Sequence, residues 1–185
     1  MITVGRTKRT RSELVISRMC VFSTSLGWMG TAWNDRWLAA VSFGYRRREQ
    51  ALSAIEAKCG QRIPREVTEE RLDQLAVRLQ AYADGDPDDF RDVSLDWSDM
   101  TDFQRRVSLA CRAIPYGGTC SYAELASRIG SPNAARAVGN VMARNRIPIL
   151  IPCHRVLGAA GALGGYSAPG GLDTKRRLLR LEGSV

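Results

Sequence analysis

The stretch Ser121-Tyr122-Ala123-Glu124-Leu125-Ala126-Ser127-Arg128-Ile129-Gly130-Ser131-Pro132-Asn133-Ala134-Ala135-Arg136-Ala137-Val138-Gly139-Asn140-Val141-Met142 decides the fold of the second half of the chain. Ser121 with Glu124 three residues on is a capping box: each side chain satisfies an amide that the first helical turn leaves unpaired. It opens a short helix to Ile129, which Gly130 breaks. Ser131-Pro132 predicts a second start, with Ser131 as N-cap and Pro132 at the first helical position, where a missing N–H does no harm. Ala134, Ala135, Ala137, Val138, Val141 and Met142 carry that helix. A helix, a glycine turn and a helix of small residues form a helix-turn-helix pattern. Many helix pairs that never touch nucleic acid share it.

Working outward, Thr101-Asp102-Phe103-Gln104 is another capping box, and Phe103, Val107, Cys111 and Ile114 share one face of the helix it opens. Pro115-Tyr116-Gly117-Gly118 ends that helix. Upstream, Asp84-Gly85-Asp86-Pro87-Asp88-Asp89 is acidic and rich in turn formers, and it reads, with the residues to Asp99, as a connection between two units. Glu69 to Tyr82 and Arg46 to Lys58 have helical apolar spacing, with Gly60 a stop after the latter. From Met19 to Phe43, short apolar runs broken at Asn34-Asp35 and Gly44 predict an antiparallel meander. The expected class is α/β in the α+β sense. Residues 1–17 are a basic tail expected to be disordered, 18–99 a small N-terminal domain with the acidic connector, and 100–185 a mostly helical C-terminal domain with the helix-turn-helix.

Charge follows the same division. Residues 1–100 hold 15 Lys/Arg and 15 Asp/Glu, which cancel, whereas 101–185 hold 12 against 4 and supply the whole net charge of +8. A basic half fits either a polyanionic partner or a solvated face. No stretch approaches the ~20 apolar residues of a membrane span, and Leu14-Val15-Ile16 is too short for a signal-peptide core. A cytoplasmic protein is expected. Five cysteines without CxxC spacing and a single histidine argue against a disulfide framework and against a zinc site.

The residues with chemistry follow the helix-turn-helix: Asn145-Arg146-Ile147-Pro148-Ile149-Leu150-Ile151-Pro152-Cys153-His154-Arg155-Val156. The thiolate is the nucleophile, and an imidazole can take the thiol proton directly or through a water. Adjacency alone leaves two readings of Cys153, a nucleophile with its base or a buried small hydrophobe beside a satisfied histidine.

Pro152-Cys153-His154-Arg155-Val156, placed after this helix pair, resembles the active-site motif of the O6-alkylguanine-DNA alkyltransferases, or methylated-DNA–protein-cysteine methyltransferases. Phe103-Gln104, Ile114-Pro115-Tyr116-Gly117, Ser121-Tyr122-Ala123-Glu124-Leu125-Ala126, Ala134-Ala135-Arg136-Ala137-Val138-Gly139, Gly164-Gly165-Tyr166 and Lys175 with Leu178-Leu179-Arg180-Leu181-Glu182-Gly183 follow in the family's order. The resemblance covers 101–183 almost continuously. It is looser over the N-terminal half, where it implies a ribonuclease-H-like domain.

The resemblance implies direct reversal of DNA damage: irreversible, stoichiometric transfer of the alkyl group from O6-alkylguanine, with O4-alkylthymine a second candidate, onto Cys153. It implies His154 as the base, Glu182 as the carboxylate holding the imidazole, Asn145 as the residue ordering the loop and Tyr122 as proton donor to the departing guanine. It implies Arg136 as the side chain that fills the gap left by the extruded base, with Tyr122, Ala123 and Ser131 also at the DNA, and Pro148, Val156, Tyr166 and Ser167 around the alkylguanine. For Asn145 a helix C-cap is a compatible reading. The partner implied is double-stranded DNA bound with little sequence preference by a monomer; no cofactor and no metal are implied. Two departures stand out, and the second borders the pocket and bears on the alkyl groups accepted. Ser108 stands where many relatives carry tryptophan, and Ala168-Pro169 lengthens the loop after Tyr166. A lesion-binding relative without activity typically lacks the cysteine, a regulator would need a dimerisation segment, and a cysteine protease a histidine far from its cysteine.

Overall fold

The computed structural model describes residues 15–62 and 73–185. The meander is present as β1 (Arg18–Thr24), β2 (Gly27–Asn34) and β3 (Trp37–Tyr45), antiparallel in that order. Gly27 at φ +102° makes the first turn; a Cβ there would lie 2.8 Å from the Tyr45 carbonyl, so only glycine fits. Alternate β1 residues point to opposite faces, and both faces are covered. Met19 packs with Ala32 and Ala39 under α1 (Arg48–Cys59), through Ile55 and Cys59. Cys20 and Phe22 enter the main core with Leu75, Leu79 and Tyr82 of α2 (Gln74–Ala83). A sheet covered on both faces explains why β3 reads as an unbroken apolar run. Asp73 caps α2 by accepting from the Ala76 amide at 2.7 Å. The residues at 69–72, expected to begin this helix, lie outside the described residues, as does the basic tail up to residue 14. The end of that tail, expected to be disordered to residue 17, is instead fixed to the sheet, with Ile16 buried beside Met19 and the Ser17 amide donating to the Trp33 carbonyl at 2.9 Å.

The acidic connection has neither helix nor strand, yet it is bound along its length. Arg78 of α2 pairs with Asp88 and Asp92 at 2.7 Å. Leu95 forms a parallel bridge to Leu38, with the Leu38 amide donating to Ser94 and the Asp96 amide to Leu38, both at 2.9 Å. Phe90 is buried, and Arg112 donates to its carbonyl at 2.7 Å. One apolar cluster therefore runs from Cys20 through Leu95 to Leu178.

Beyond it come α3 (Asp102–Arg112), β4 (Cys120–Ser121), α4 (Tyr122–Arg128), α5 (Ala135–Ala143), β5 (Val156–Leu157) and α6 (Gly171–Leu181). Both capping boxes close on both sides, Thr101 with Gln104 and Ser121 with Glu124. The start read at Ser131 differs. Its side chain makes no capping bond, 132–134 form a single 3-10 turn, and α5 begins only at Ala135. The backbone has taken over the capping. The Ser131 amide bonds to Ala126 and its carbonyl receives the Ala134 amide, both at 2.9 Å. With ψ at 62°, Ser131 also lies outside the extended conformation that N-caps adopt. Among the described residues no helix is long and apolar enough to cross a membrane.

Candidate active site

Cys153 opens a 3-10 turn, Cys153–Arg155, after the buried run 147–151. The run doubles back, with the Ile151 amide on the Ile147 carbonyl at 2.9 Å and Ile149 held at φ +74°. A β-branched residue is rarely found in that conformation and resists it. Asn145 spans the turn. Its Oδ1 accepts from the Ile147 amide at 3.0 Å, and its Nδ2 donates to the Ile151 carbonyl at 2.7 Å and to Cys153 Sγ at 3.3 Å. Because α5 ends at Ala143 with Arg144 as its cap, Asn145 is not the C-cap that its sequence position also allowed.

His154 is fully buried, and its Nε2 lies 2.9 Å from Glu182 Oε1 at the end of α6. Glu182 is enclosed by donors. Arg155 reaches it through Nε and Nη2 at 2.9 Å each, and the Tyr82 hydroxyl donates from α2. Burial alone would raise the Glu182 carboxyl, but the bonds from His154, Arg155 and Tyr82 outweigh it and hold it well below the usual carboxylate range. Burial lowers His154 more than Glu182 raises it, so the ring is neutral at rest. With Nε2 donating to a carboxylate, Nδ1 carries the lone pair; it is buried and has no hydrogen-bond partner among the described residues. Burial also pushes the Cys153 thiol upward, against the opposing pull of Asn145, Lys58 and Lys175. The resting sulfur is therefore a thiol, and any use of it as a nucleophile would need a base.

Two cavities meet at Cys153, Tyr166 and Ser167. The larger, about 650 Å³, is bounded by Tyr122 of α4, by Arg136, Gly139 and Asn140 of α5, and by Gly165. Its size falls in the range of roughly 300–1,000 Å³ usual for small-molecule sites. The smaller, about 40 Å³, is closed by Asn145, Pro148 and Ala168-Pro169 together with Ser42, Phe43, Tyr45 and Lys58 from the N-terminal half. Burial raises the hydroxyls of Tyr122 and Tyr166, with Cys153 the next cause for each, so both stay protonated.

Of the residues singled out by sequence, Cys153, Asn145, Pro148, Tyr122, Arg136, Tyr166 and Ser167 all border one or both cavities, and His154 and Glu182 adjoin them through the turn. Val156 does not. It pairs with Cys120 across β4 and β5, and its carbonyl receives the Lys175 ammonium at 2.6 Å. Ala123 lies on a separate groove along α4, and Ser131 sits half-buried in the turn before α5. Sequence reading missed Arg155 and Tyr82 as partners of Glu182. It also missed Lys175, which is fully buried and ties β5 to the Leu163 carbonyl ahead of Tyr166. Arg155 and Lys175 stood inside quoted motifs, but each has charged or polar neighbours in the chain and nothing there marked it as buried; Tyr82 gave no signal either.

Residues 102–184 match the family described as the DNA-binding domain of 6-O-methylguanine DNA methyltransferase. Similar curated proteins include the methylated-DNA–protein-cysteine methyltransferases of Mycobacterium tuberculosis and Methanosarcina acetivorans. The first is 53% identical over 107 residues, 58% of this chain and 62% of the relative. The second is 48% identical over 116 residues, 63% of this chain and 72% of the relative. The match thus spans under two thirds of the mycobacterial protein's length. Among solved structures, Mycobacterium tuberculosis OGT in complex with DNA is 37% identical with a TM-score of 0.70, covering 90% of this chain and 93% of that one. The O6-methylguanine-DNA methyltransferase of Pyrococcus kodakaraensis is 25% identical with a TM-score of 0.69, covering 89% and 99%. By these matches the chain belongs to the O6-methylguanine-DNA methyltransferase family, also named methylated-DNA–protein-cysteine methyltransferases.

Proposed function

We propose that the protein repairs DNA by moving the alkyl group from O6 of an alkylated guanine onto Cys153, once per molecule. The observation that carries this reading is the thiol at the junction of the two cavities, followed in the chain by a neutral His154 that is bonded to a buried carboxylate. O6 is enclosed in the base stack, so the nucleotide must leave the duplex, at a cost of ~a few kcal/mol. Arg136 is exposed on α5 and borders the large cavity, which suits a side chain that enters the duplex and fills the gap. The small residues around it let the helix approach a groove closely. In the cavity, Tyr166 and Ser167 flank the base.

The thiol proton passes to His154 Nδ1, directly or through a water. The sulfur–carbon bond forms as the carbon–O6 bond breaks, and the electron pair leaves with the guanine, which takes a proton from Tyr122. Glu182 stabilises the imidazolium, which returns its proton through solvent to the tyrosinate. The product thioether cannot regenerate the thiol, so the protein is consumed. The reading extends to a cytoplasmic monomer that binds double-stranded DNA through the basic second half with little sequence preference, Ala123 and Ser131 lying at that interface. Intact mass after incubation with duplex containing O6-methylguanine should rise by one methyl group and stop, with the methyl on Cys153, and Cys153→Ser should bind DNA without transfer. Continued turnover, or methylation of another cysteine, would contradict the reading.

A further inference from the structure

Lys58 is the penultimate residue of α1, in the half of the chain farthest in sequence from the reactive turn. It nevertheless borders the small cavity with Cys153 and Asn145. It reaches the carbonyls of Asn145 at 3.5 Å and Arg146 at 3.4 Å, long contacts of a compact cation with two peptide dipoles. The same carbonyl of Arg146 also accepts from the Val41 amide of β3 at 2.9 Å, and the Arg146 side chain pairs with Asp99 at 2.7 Å. The segment that leads into the active-site loop is thus held from the N-terminal half at several points. Lys58 is the one among these that adds charge to the cavity.

Lys58 is half-buried, and it also borders a second cavity with Asp99, yet among the described residues no carboxylate pairs with it. A partly desolvated ammonium without a paired counter-ion is unfavourable, and an anion forming beside it relieves that. We infer that Lys58 is a positioning residue for alkyl transfer: it fixes the Asn145–Arg146 backbone from which Asn145 grips Cys153, and it supplies a cation to the cavity in which the thiolate forms. Burial pushes Lys58 down to about 8, Cys153 opposes that, and Arg146 and then Cys59 act more weakly. Around Cys153 the opposing cations are Lys58 from α1 and Lys175 from α6; the neutral neighbours are Tyr122 from α4, Tyr166 from the loop and Cys111 from α3. Lys175 is spent on the carbonyls of Val156 and Leu163.

This inference rests on the transfer reading, and free O6-benzylguanine separates the two because it needs neither DNA nor base flipping. Rates would be measured from pH 6 to 9 on the parent, Lys58→Met, Lys58→Gln and Lys58→Arg, with thermal melts of each. Lys58→Met should be slower by about tenfold near neutrality, its rise of rate with pH moved by about one unit toward alkali, at a melting temperature close to the parent's. Lys58→Arg should stay within about threefold of the parent. Lys58→Gln, which keeps a donor but no charge, should follow Lys58→Met, and it carries the comparison with Lys58→Arg should the Met variant not fold. A parent that reacts with benzylguanine while the Met and Gln variants match it in rate and pH profile would overturn the role of Lys58 alone. Slow Lys58→Arg with the same profile as Lys58→Met would also overturn it. A parent inert toward both benzylguanine and O6-methylguanine duplex would overturn the transfer reading itself.

Discussion

Replacing Asn145 by alanine tests whether one side chain organises the reactive loop. The substitution removes three hydrogen bonds, to the Ile147 amide at 3.0 Å, the Ile151 carbonyl at 2.7 Å and Cys153 Sγ at 3.3 Å. Ile147 and Ile151 are both 0% exposed. The Ile147 amide would be left buried and unpaired, whereas the Ile151 carbonyl would lose one of two donors and keep the Cys153 amide at 2.8 Å. The unpaired amide costs about 1–3 kcal/mol, the bond lost at the carbonyl about 0.5–1.5 kcal/mol, and the weak bond to sulfur adds a few tenths. Relaxation around the adjoining cavity offsets part of this, leaving a loss of about 2–4 kcal/mol out of the ~5–15 kcal/mol usual for a folded chain. Ile149, held at φ +74°, should then relax, carrying Cys153 out of register. Urea unfolding would read the stability and single-turnover reaction with free O6-benzylguanine the chemistry, where we expect a drop of at least about tenfold. Asn145→Asp refines the test. It keeps an acceptor for the Ile147 amide but sets a carboxylate against the Ile151 carbonyl and the thiol, so it should lose more rate than Asn145→Ala relative to its loss of stability. An Asn145→Ala variant within about 0.5 kcal/mol of the parent and alkylated at the parent rate would refute the reasoning.

Arg136→Ala should slow repair of duplex on the order of ten- to a thousand-fold while sparing reaction with the free base, whereas His154→Ala should slow both; equal slowing of both substrates by Arg136→Ala would make Arg136 a pocket residue. Affinity for undamaged duplex should fall steeply with added salt, since each neutralised phosphate releases counterions, and a salt-independent affinity would remove the basic half from the interface. Stability should decline as pH falls below about 6.5. His154 is held below that ordinary value by burial, so the unfolded chain takes up a proton that the folded one refuses. Glu182, ionised in the fold and held below its ordinary 4.5, adds a second decline under that value. The chain has one histidine, so His154→Gln should flatten the interval between about 6.5 and 5, and a decline persisting there would misassign it.

What could be read from the sequence was what short-range chemistry decides. The capping boxes at Thr101 and Ser121 were legible because both partners lie three residues apart and their geometry is that of the helix itself. Ser131 misled for the complementary reason: the Ala134 amide that its hydroxyl would cap goes to the Ser131 carbonyl in a backbone turn. Cys153 and His154 were legible through a motif. Their partners Asn145 and Glu182 came with the same resemblance. Tyr82 and Lys58, which hold Glu182 and the Asn145–Arg146 backbone in turn, did not, because they reach the site by chain folding and nothing in their local sequence marks them. The acidic stretch 84–99 read as a spacer from composition, yet Asp88 and Asp92 are spent on Arg78, and Leu95 extends the sheet.

The bond from Tyr82 to Glu182 joins positions 100 residues apart, and that from Lys58 to Asn145 joins positions 87 apart. Closing such loops is entropically unfavourable until the contacts that reward it exist, and it slows the formation of the structures that depend on it. The carboxylate that orients His154 is therefore complete only after remote segments have met, whereas the local helices can form before. On the transfer reading proposed above, a chain caught midway through folding should carry a cysteine of ordinary reactivity, and susceptibility of Cys153 to benzylguanine should serve as a clock for the last stage of assembly, to be read beside the earlier rise of helical signal in a refolding experiment.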